Sequence, residues 1–292
     1  MYELIQVSER DYYIQSPAKI GLVRLNDRDV CLIDSGNDKD AGKKVRQILD
    51  ANSWKLTAIY NTHSNADHIG GNKYLQTQTG CKVYAPGIEC AFTRWPVLEP
   101  SFLYGGFPCR DLRHKFLMAQ ESDAEELMQD VLPEGFQLIP LPGHFFDMVG
   151  FRTPDGTVYL ADCLSSRETL DKYQIGFIYD VAAYLNTLET VKTMRAKLFI
   201  PAHAAASEEI AGLAQYNIDK VIEISERILS ICSQPLCFES ILKKLFDEYA
   251  LEMTFEQYVL VGSTVRSYLA WLKDTGRLNS LFDKNMLLWQ QI

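Results

Sequence analysis

Short alternating runs of apolar and polar residues dominate the first part of the chain. Tyr2 to Val7, Tyr12 to Gln15, Ile20 to Leu25 and Val30 to Asp34 each read as a strand, with Asn26-Asp27 as a hairpin signal between the last two. The period then changes, and Ala41, Val45, Ile48 and Leu49 fall on one face of a helix over Asp40 to Leu49. A strand at Leu56 to Tyr60 leads through a polar stretch into a helix from Gly71 to Thr79, ended by Gly80. Cys81 to Ala85 is the next strand, closed by Pro86. The whole is a βαβ-like unit, and the loop after its first strand is where α/β proteins usually carry function.

Residues 87–130 lose both periods. The stretch from Glu99 to Pro108 is aromatic and rich in Gly and Pro, so it is expected to be an irregular lid or binding loop. Phe102, Tyr104 and Phe107 are candidate pocket walls, with Tyr104 as a candidate substrate-binding phenol. Strands return at Phe136 to Leu141, Met148 to Thr153 and Thr157 to Asp162, the last two joined by the turn Pro154-Asp155-Gly156. Tyr184, Leu185, Leu188 and Val191 mark a helix, and Leu198 to Ile200 a further strand. Beyond this the chain turns helical. A long helix runs up to Ser233-Gln234-Pro235, and a second carries Phe238, Ile241, Leu242, Leu245, Phe246 and Tyr249. A capping box at Thr254 to Gln257 opens a third, and Ser263 to Lys273 reads as a fourth. The tail from Leu278 to Trp289 reads as a ribbon turning at Asp283 to Asn285. The expected organisation is a main unit over 1–208, a connecting helix over 209–233 and a small unit over 234–292.

Composition narrows the class. A chain of 292 residues with 47% hydrophobic and 23% charged residues is an ordinary globular protein with a full core. No apolar run approaches a membrane span, and the start has no basic-then-apolar leader. Seven scattered cysteines without C-x-x-C pairs read as reduced thiols, so a cytoplasmic location is expected. A net charge of −9 disfavours a nucleic-acid-binding surface as the main purpose.

The chemistry concentrates in Thr62-His63-Ser64-Asn65-Ala66-Asp67-His68, between a strand and a helix. A turn there can aim His63, Asp67 and His68 at one point, which suggests divalent metal binding by N and O ligands. Of only five histidines, two more follow apolar strands: His144 in Leu141-Pro142-Gly143-His144 and His203 in Ile200-Pro201-Ala202-His203. Asp162 ends another strand. His114, without a strand before it, reads as a surface residue, Asp34 as a turn cap, and Cys90, Cys109 and Cys163 as packing thiols.

Taken in order, Asp34-Ser35-Gly36, the 62–68 cluster, Gly143-His144, Asp162 and His203 resemble the metallo-β-lactamase superfamily across about residues 1–208. The resemblance implies an α+β fold, a four-layer αββα sandwich. It also implies two metal sites, one held by His63, residue 65 and His144, the other by Asp67, His68 and His203, with Asp162 bridging. One position departs: the family's second histidine is Asn65 here. A neutral amide oxygen is a weaker zinc ligand than imidazole, so one tightly held metal and a weaker second site are expected, with iron or manganese as alternatives to zinc. Asp67-His68-Ile69-Gly70-Gly71-Asn72 is most similar to the glyoxalase II-like group. The implied reaction is attack of a metal-bound hydroxide on an ester, thioester or lactone of a small molecule, with Asp67 orienting the nucleophile and shuttling a proton. An endoribonuclease or phosphodiesterase of the same superfamily, and a non-catalytic sensor with a degraded first site, are the competing readings. The 234–292 unit resembles a winged helix. From Ser233 onward six basic residues face seven acidic ones, so dimerisation, protein contact or pocket closure suits it better than DNA.

Overall fold

The alternating segments pair in chain order. In the computed structural model, which describes residues 2–292, β1 (Glu3–Gln6), β2 (Asp11–Gln15), β3 (Ile20–Arg24) and β4 (Asp29–Ile33) form an antiparallel meander. The helix α1 (Lys39–Ala51) crosses over, so β5 (Lys55–Tyr60) lies parallel to β4. Asp38 caps this helix by accepting from the amides of Asp40 and Ala41. After α2 (Ala66–Ile69) and α3 (Asn72–Thr79), β6 (Lys82–Ala85) adds in parallel. Then α4 (Glu89–Arg94) and α5 (Leu98–Tyr104) precede β7 (Glu125–Glu126), which completes a seven-stranded sheet in sequential order.

The second sheet runs in the order β11-β10-β9-β8 and consists of β8 (Gln137–Pro140), β9 (Val149–Arg152), β10 (Thr157–Ser165) and β11 (Leu198–His203). Between its last two strands, α6 (Arg167–Tyr173) and α7 (Val181–Thr193) make the crossover that parallel pairing requires. The chain ends with α8 (Ala211–Ile231), α9 (Phe238–Glu248), α10 (Phe255–Asp274) and the ribbon β12 (Leu278–Asp283) and β13 (Met286–Gln291).

Apolar faces stack these elements in four layers. Val45, Leu49 and Leu75 seat α1 and α3 on the first sheet beside Leu32 and Ile59. Ile33, Tyr60, Phe151 and Ile200 fill the space between the sheets. Leu160 and Phe199 on the outer face of the second sheet meet Leu188, Ile224 and Tyr268 of the later helices. The αββα arrangement expected from the family resemblance is the observed one. No described helix is long and apolar enough to cross a membrane.

Two stretches differ from the sequence pattern. The 87–130 segment is not wholly irregular, since α4 and α5 occupy part of it; each is one or two turns, too short to show a period. Residues 255–274 form one helix rather than two, because Gly262 and Ser263 continue the turn and Gly262 packs against Phe238 and Leu242. Two helices and a ribbon therefore follow residue 233. They also share one continuous apolar core with Leu141, Leu160 and Phe199.

The approach of α3 to the end of β4 depends on Gly71. A Cβ there would stand 2.3 Å from the Ser35 carbonyl oxygen, inside any permitted contact. Gly71→Ala is expected to lower stability by about 2–4 kcal/mol in urea or thermal unfolding. Gly212→Ala, where an added Cβ meets nothing within 4 Å in the first turn of α8, should raise it by about 0.4–1 kcal/mol. Equal effects from the two would show that close packing at Gly71 is not what matters.

Candidate metal centre

The 61–68 loop is held from below by one buried carboxylate. Asp34, at the end of β4 with φ +65°, accepts from the Thr62 amide, the Thr62 hydroxyl and His68 Nδ1–H, each at 2.8 Å. Since the Thr62 hydroxyl hydrogen goes to Asp34, its oxygen accepts from His63 Nδ1–H at 2.9 Å. His144 Nδ1–H donates to the Phe177 carbonyl at 3.0 Å. In all three rings Nδ1 is occupied and Nε2 is the nitrogen turned toward the cluster, the arrangement that outer carboxylates and carbonyls impose on metal-binding histidines.

Irregularities in β10 and the end of β11 bring in the remaining groups. The register of β10 against β11 shifts around Ala161, whose φ is +50°, and this bulge re-aims Asp162. His203 is the last residue of β11. Asp162 then lies within reach of three rings: 3.0 Å from His68 Nε2, 3.1 Å from His203 Nε2 and 3.6 Å from His144 Nε2. Asp67 is 3.3 Å from His203 Nε2. Two sets of ligand atoms, Asp67-His68-Asp162-His203 and His63-His144-Asp162, each lie within 4.8 Å of one another.

The cluster has the chemistry of a cation site. His63 Nε2, His68 Nε2 and Asp162 Oδ1 are buried without a hydrogen-bond partner. His68 Nε2 and Asp162 Oδ1 are close but misaligned for a bond, as two ligands aimed at a third atom would be. His144 Nε2 faces Asn65 Oδ1 at 3.2 Å, and with Nδ1 carrying the proton these are two acceptors facing each other. Divalent ions with N and O ligands, one for each of the two sets, would satisfy them.

Asn65 is itself held. Its Nδ2 donates to Glu99 Oε1 at 2.8 Å, which leaves Oδ1 turned toward the histidines. Glu99 is buried at the start of α5, and burial pushes its carboxyl well above the ordinary range. A second buried acid, Glu89, accepts from the Ser64 amide and hydroxyl and from the Asp147 amide. Burial pushes it up to about 8 against the pull of those donors. Neither acid carries a sequence motif; they stand 34 and 25 residues from the groups they hold, in the segment without a period.

Other candidates lie elsewhere. Tyr104 is half-exposed against the Phe255 ring, in a cleft beside α10 that contains none of the histidines. Phe107 is exposed. Phe102 packs on Phe145, which in turn contacts the His63 ring. His114 ties its loop to Glu256 of α10 at 2.8 Å. Cys163 is fully buried, which pushes its thiol up and makes it inert packing.

Charge inside the cluster is divided. Burial holds His63 and His144 below the ordinary histidine range. Burial also opposes charge on His203 and His68, but Asp162 and Asp67 outweigh it, raising His203 to about 10 and His68 well above its usual value. At neutral pH the metal-free protein therefore carries protons on these two rings, which a metal must displace. Calorimetry in buffers of different protonation enthalpy is expected to show about two ligand protons released per tightly bound zinc at pH 7. Affinity should rise with pH and level off only as His203 approaches its own value near 10. Binding without proton release would contradict this assignment of charge.

The sequence profile described as metallo-beta-lactamase superfamily matches residues 15–203. A hydroxyacylglutathione hydrolase of Methylococcus capsulatus is 42% identical over 55 residues, covering 16% of this chain and 22% of that protein. A Drosophila melanogaster beta-lactamase-like protein 2 homolog is 24% identical over 210 residues, 70% of this chain and 64% of its own length. The chain thus spans less than two thirds of either relative. A beta-lactamase domain protein from Burkholderia ambifaria superposes with a TM-score of 0.74 at 15% identity, covering 99% of this chain and 94% of that one, which establishes the shared fold. From profile, fold and the order of its motifs, the chain belongs to the metallo-beta-lactamase superfamily.

Proposed function

We propose that the chain is a metal-dependent hydrolase of small esters, thioesters or lactones. The observation that carries this reading is the set of buried, unpartnered Nε2 and carboxylate atoms converging from separate strand ends. Asp67, His68, Asp162 and His203 are the proposed tight site. His63, Asn65 and His144, with Asp162 shared, are the proposed weaker one. Zinc suits the nitrogen-rich donor set, with iron or manganese as alternatives. When bound, the ion supplies Lewis acidity at the electrophile's oxygen and a lowered pKa for water. The net reaction forms a carbon–oxygen bond to water and breaks the bond to the alcohol or thiol, which takes a proton.

The protein's own groups do the rest. Asp67 and His203 stand at the open side, 38% and 29% exposed, whereas His68 is fully enclosed. Asp67 turns one oxygen to the histidines and uses the other to hold and pass the proton. Glu99 fixes the Asn65 amide so that its oxygen remains available to the weaker site. Units over 1–208, 209–233 and 234–292 are proposed to act as catalytic body, connecting helix and pocket wall. The name of the Methylococcus relative favours a thioester. The acidic net charge argues against an endoribonuclease, and retention of every ligand position except 65 argues against a degraded sensor. Seven unpaired cysteines fit a cytoplasmic setting.

Elemental analysis of protein purified without chelator is expected to find about one metal per chain in wild type and about two in Asn65→His, where imidazole replaces the amide. Absence of metal even after loading would overturn the reading. With a panel of thioesters, esters and lactones, Asp67→Asn should lower kcat by about 10²–10⁴-fold. Chelation should abolish turnover and zinc should restore it. Activity indifferent to chelation would sink the proposal.

A further inference from the structure

The weaker ligand set is drawn from two segments far apart in the sequence. His63 and Asn65 flank Ser64 in the 61–68 loop, and His144 stands in the turn between β8 and β9. Among the described residues one backbone hydrogen bond joins these segments directly, from the Val149 amide to the Thr62 carbonyl at 2.9 Å. Glu89, in the first turn of α4, makes a second link. One of its carboxylate oxygens accepts from the Ser64 amide at 3.2 Å and from the Ser64 hydroxyl, and the other accepts from the Asp147 amide at 3.0 Å. The turn is held to α4 from its own side as well. Asp147 Oδ2 accepts from the Ile88 amide at 2.9 Å, and Gly87 permits the approach, since a Cβ there would fall 2.1 Å from that oxygen. Phe92, one turn along α4, packs edge-on against Phe145, which contacts the His63 ring.

Glu89 is fully buried. Burying a carboxyl is costly unless its oxygens are matched, and an apolar side chain would pack there without that cost. What the carboxyl adds is a bridge between two particular places. Ser64 lies between His63 and Asn65, and Asp147 lies three residues beyond His144. Among the described residues the Glu89 side chain makes no hydrogen bond to Asp67, His68, Asp162 or His203, the tighter set. Resting on the metal assignment above, we infer that Glu89 is a positioning residue for the weaker site. It fixes the separation between the His63–Asn65 pair and His144, and so sets whether these three close on one ion. Protonation leaves the bridge in place, because a neutral Glu89 donates to the Ser64 hydroxyl oxygen and still accepts from the Asp147 amide.

The test reads metal binding, kept apart from turnover. Metal-free whole chains of wild type, Glu89→Leu and Glu89→Gln are titrated with cobalt(II), whose ligand-field absorption reports each site as it fills. Wild type is expected to fill in two steps, the second weaker. Glu89→Leu should leave the first step unchanged and weaken the second by about 10–100-fold. In Glu89→Gln the amide nitrogen can donate to the Ser64 hydroxyl oxygen while the amide oxygen accepts from Asp147, so most of that loss should be restored. A general loosening of the fold would move both steps together and would not respond to the conservative variant. Should Glu89→Leu fail to fold, Ser64→Ala carries the same test, with the second step about two- to tenfold weaker and the first unmoved. An unchanged second step, equal weakening of both steps, or Glu89→Gln as impaired as Glu89→Leu would overturn the inference. So would a single step in both wild type and Asn65→His. Absence of the first step as well defeats the metal assignment itself.

Discussion

Asp34 is the residue on which the geometry of the centre depends. It sits in a left-handed backbone conformation at the end of β4, almost wholly buried, and its two oxygens receive Thr62 and His68 directly and His63 through the Thr62 hydroxyl. The 61–68 turn cannot shift without breaking these bonds, and Gly70 and Gly71 remove the side chains that would hold α2 and α3 away from 35–38. Tautomer, ring orientation and loop position thus follow from one carboxylate. An Asp34→Asn substitution would keep the shape but offer an N–H where acceptors are needed, leaving Thr62 or His68 without its partner.

A price in stability accompanies this rigidity. Four imidazoles and two carboxylates are drawn into a region with little water, and His63 Nε2, His68 Nε2 and Asp162 Oδ1 have no hydrogen-bond partner there. In the metal-free protein, protons on His68 and His203 offset the charge of Asp67 and Asp162. A divalent cation does the same with more charge and directed bonds, so the site is preorganised for the ion at the expense of the metal-free fold. Asn65 keeps an acceptor in this cluster, though an amide oxygen is a weaker zinc ligand than an imidazole nitrogen. Glu99 then prevents it from turning its donor, rather than its oxygen, toward His144.

Much of this was legible in the sequence because the signals are local. Strand-end histidines, the Asp67-His68 pair and the glycines behind them lie within a few residues of an alternating apolar run, and the four-layer fold follows from the motif order they display. The supporting acids were not legible. Glu89 and Glu99 act across 25 and 34 residues from helices of one or two turns, where neither period can be read. Asp34 read as a turn cap because its real partners come from the next strand–loop unit. Tyr104 looked like a pocket phenol on composition alone, whereas the helical turn of α5 directs it to α10. The single helix over 255–274 was missed because glycine and serine in its middle look like a break, although burial against α9 sustains the turn.

The C-terminal helices belong to the site's support as well as to its wall. Thr264 Oγ1 of α10 accepts from the Ile178 amide at 3.1 Å, and Ser267 Oγ donates to the Tyr179 carbonyl at 2.7 Å. The segment so clamped presents the Phe177 carbonyl to His144 Nδ1, while the amides of Tyr179 and Asp180 both donate to the Gly143 carbonyl. Gly143, at φ +119°, lies so close to Tyr184 that an added Cβ would fall 2.2 Å from its amide nitrogen. His144 is therefore positioned through a relay that begins on α10, some 120 residues further along the chain. Since α8, α9 and α10 share their apolar core with the second sheet, loosening the C-terminal helices would reach His144 before it exposed the loop at 61–68. His144 is thus the member of the centre tied to the C-terminal unit, whereas His63 and His68 are tied to Asp34.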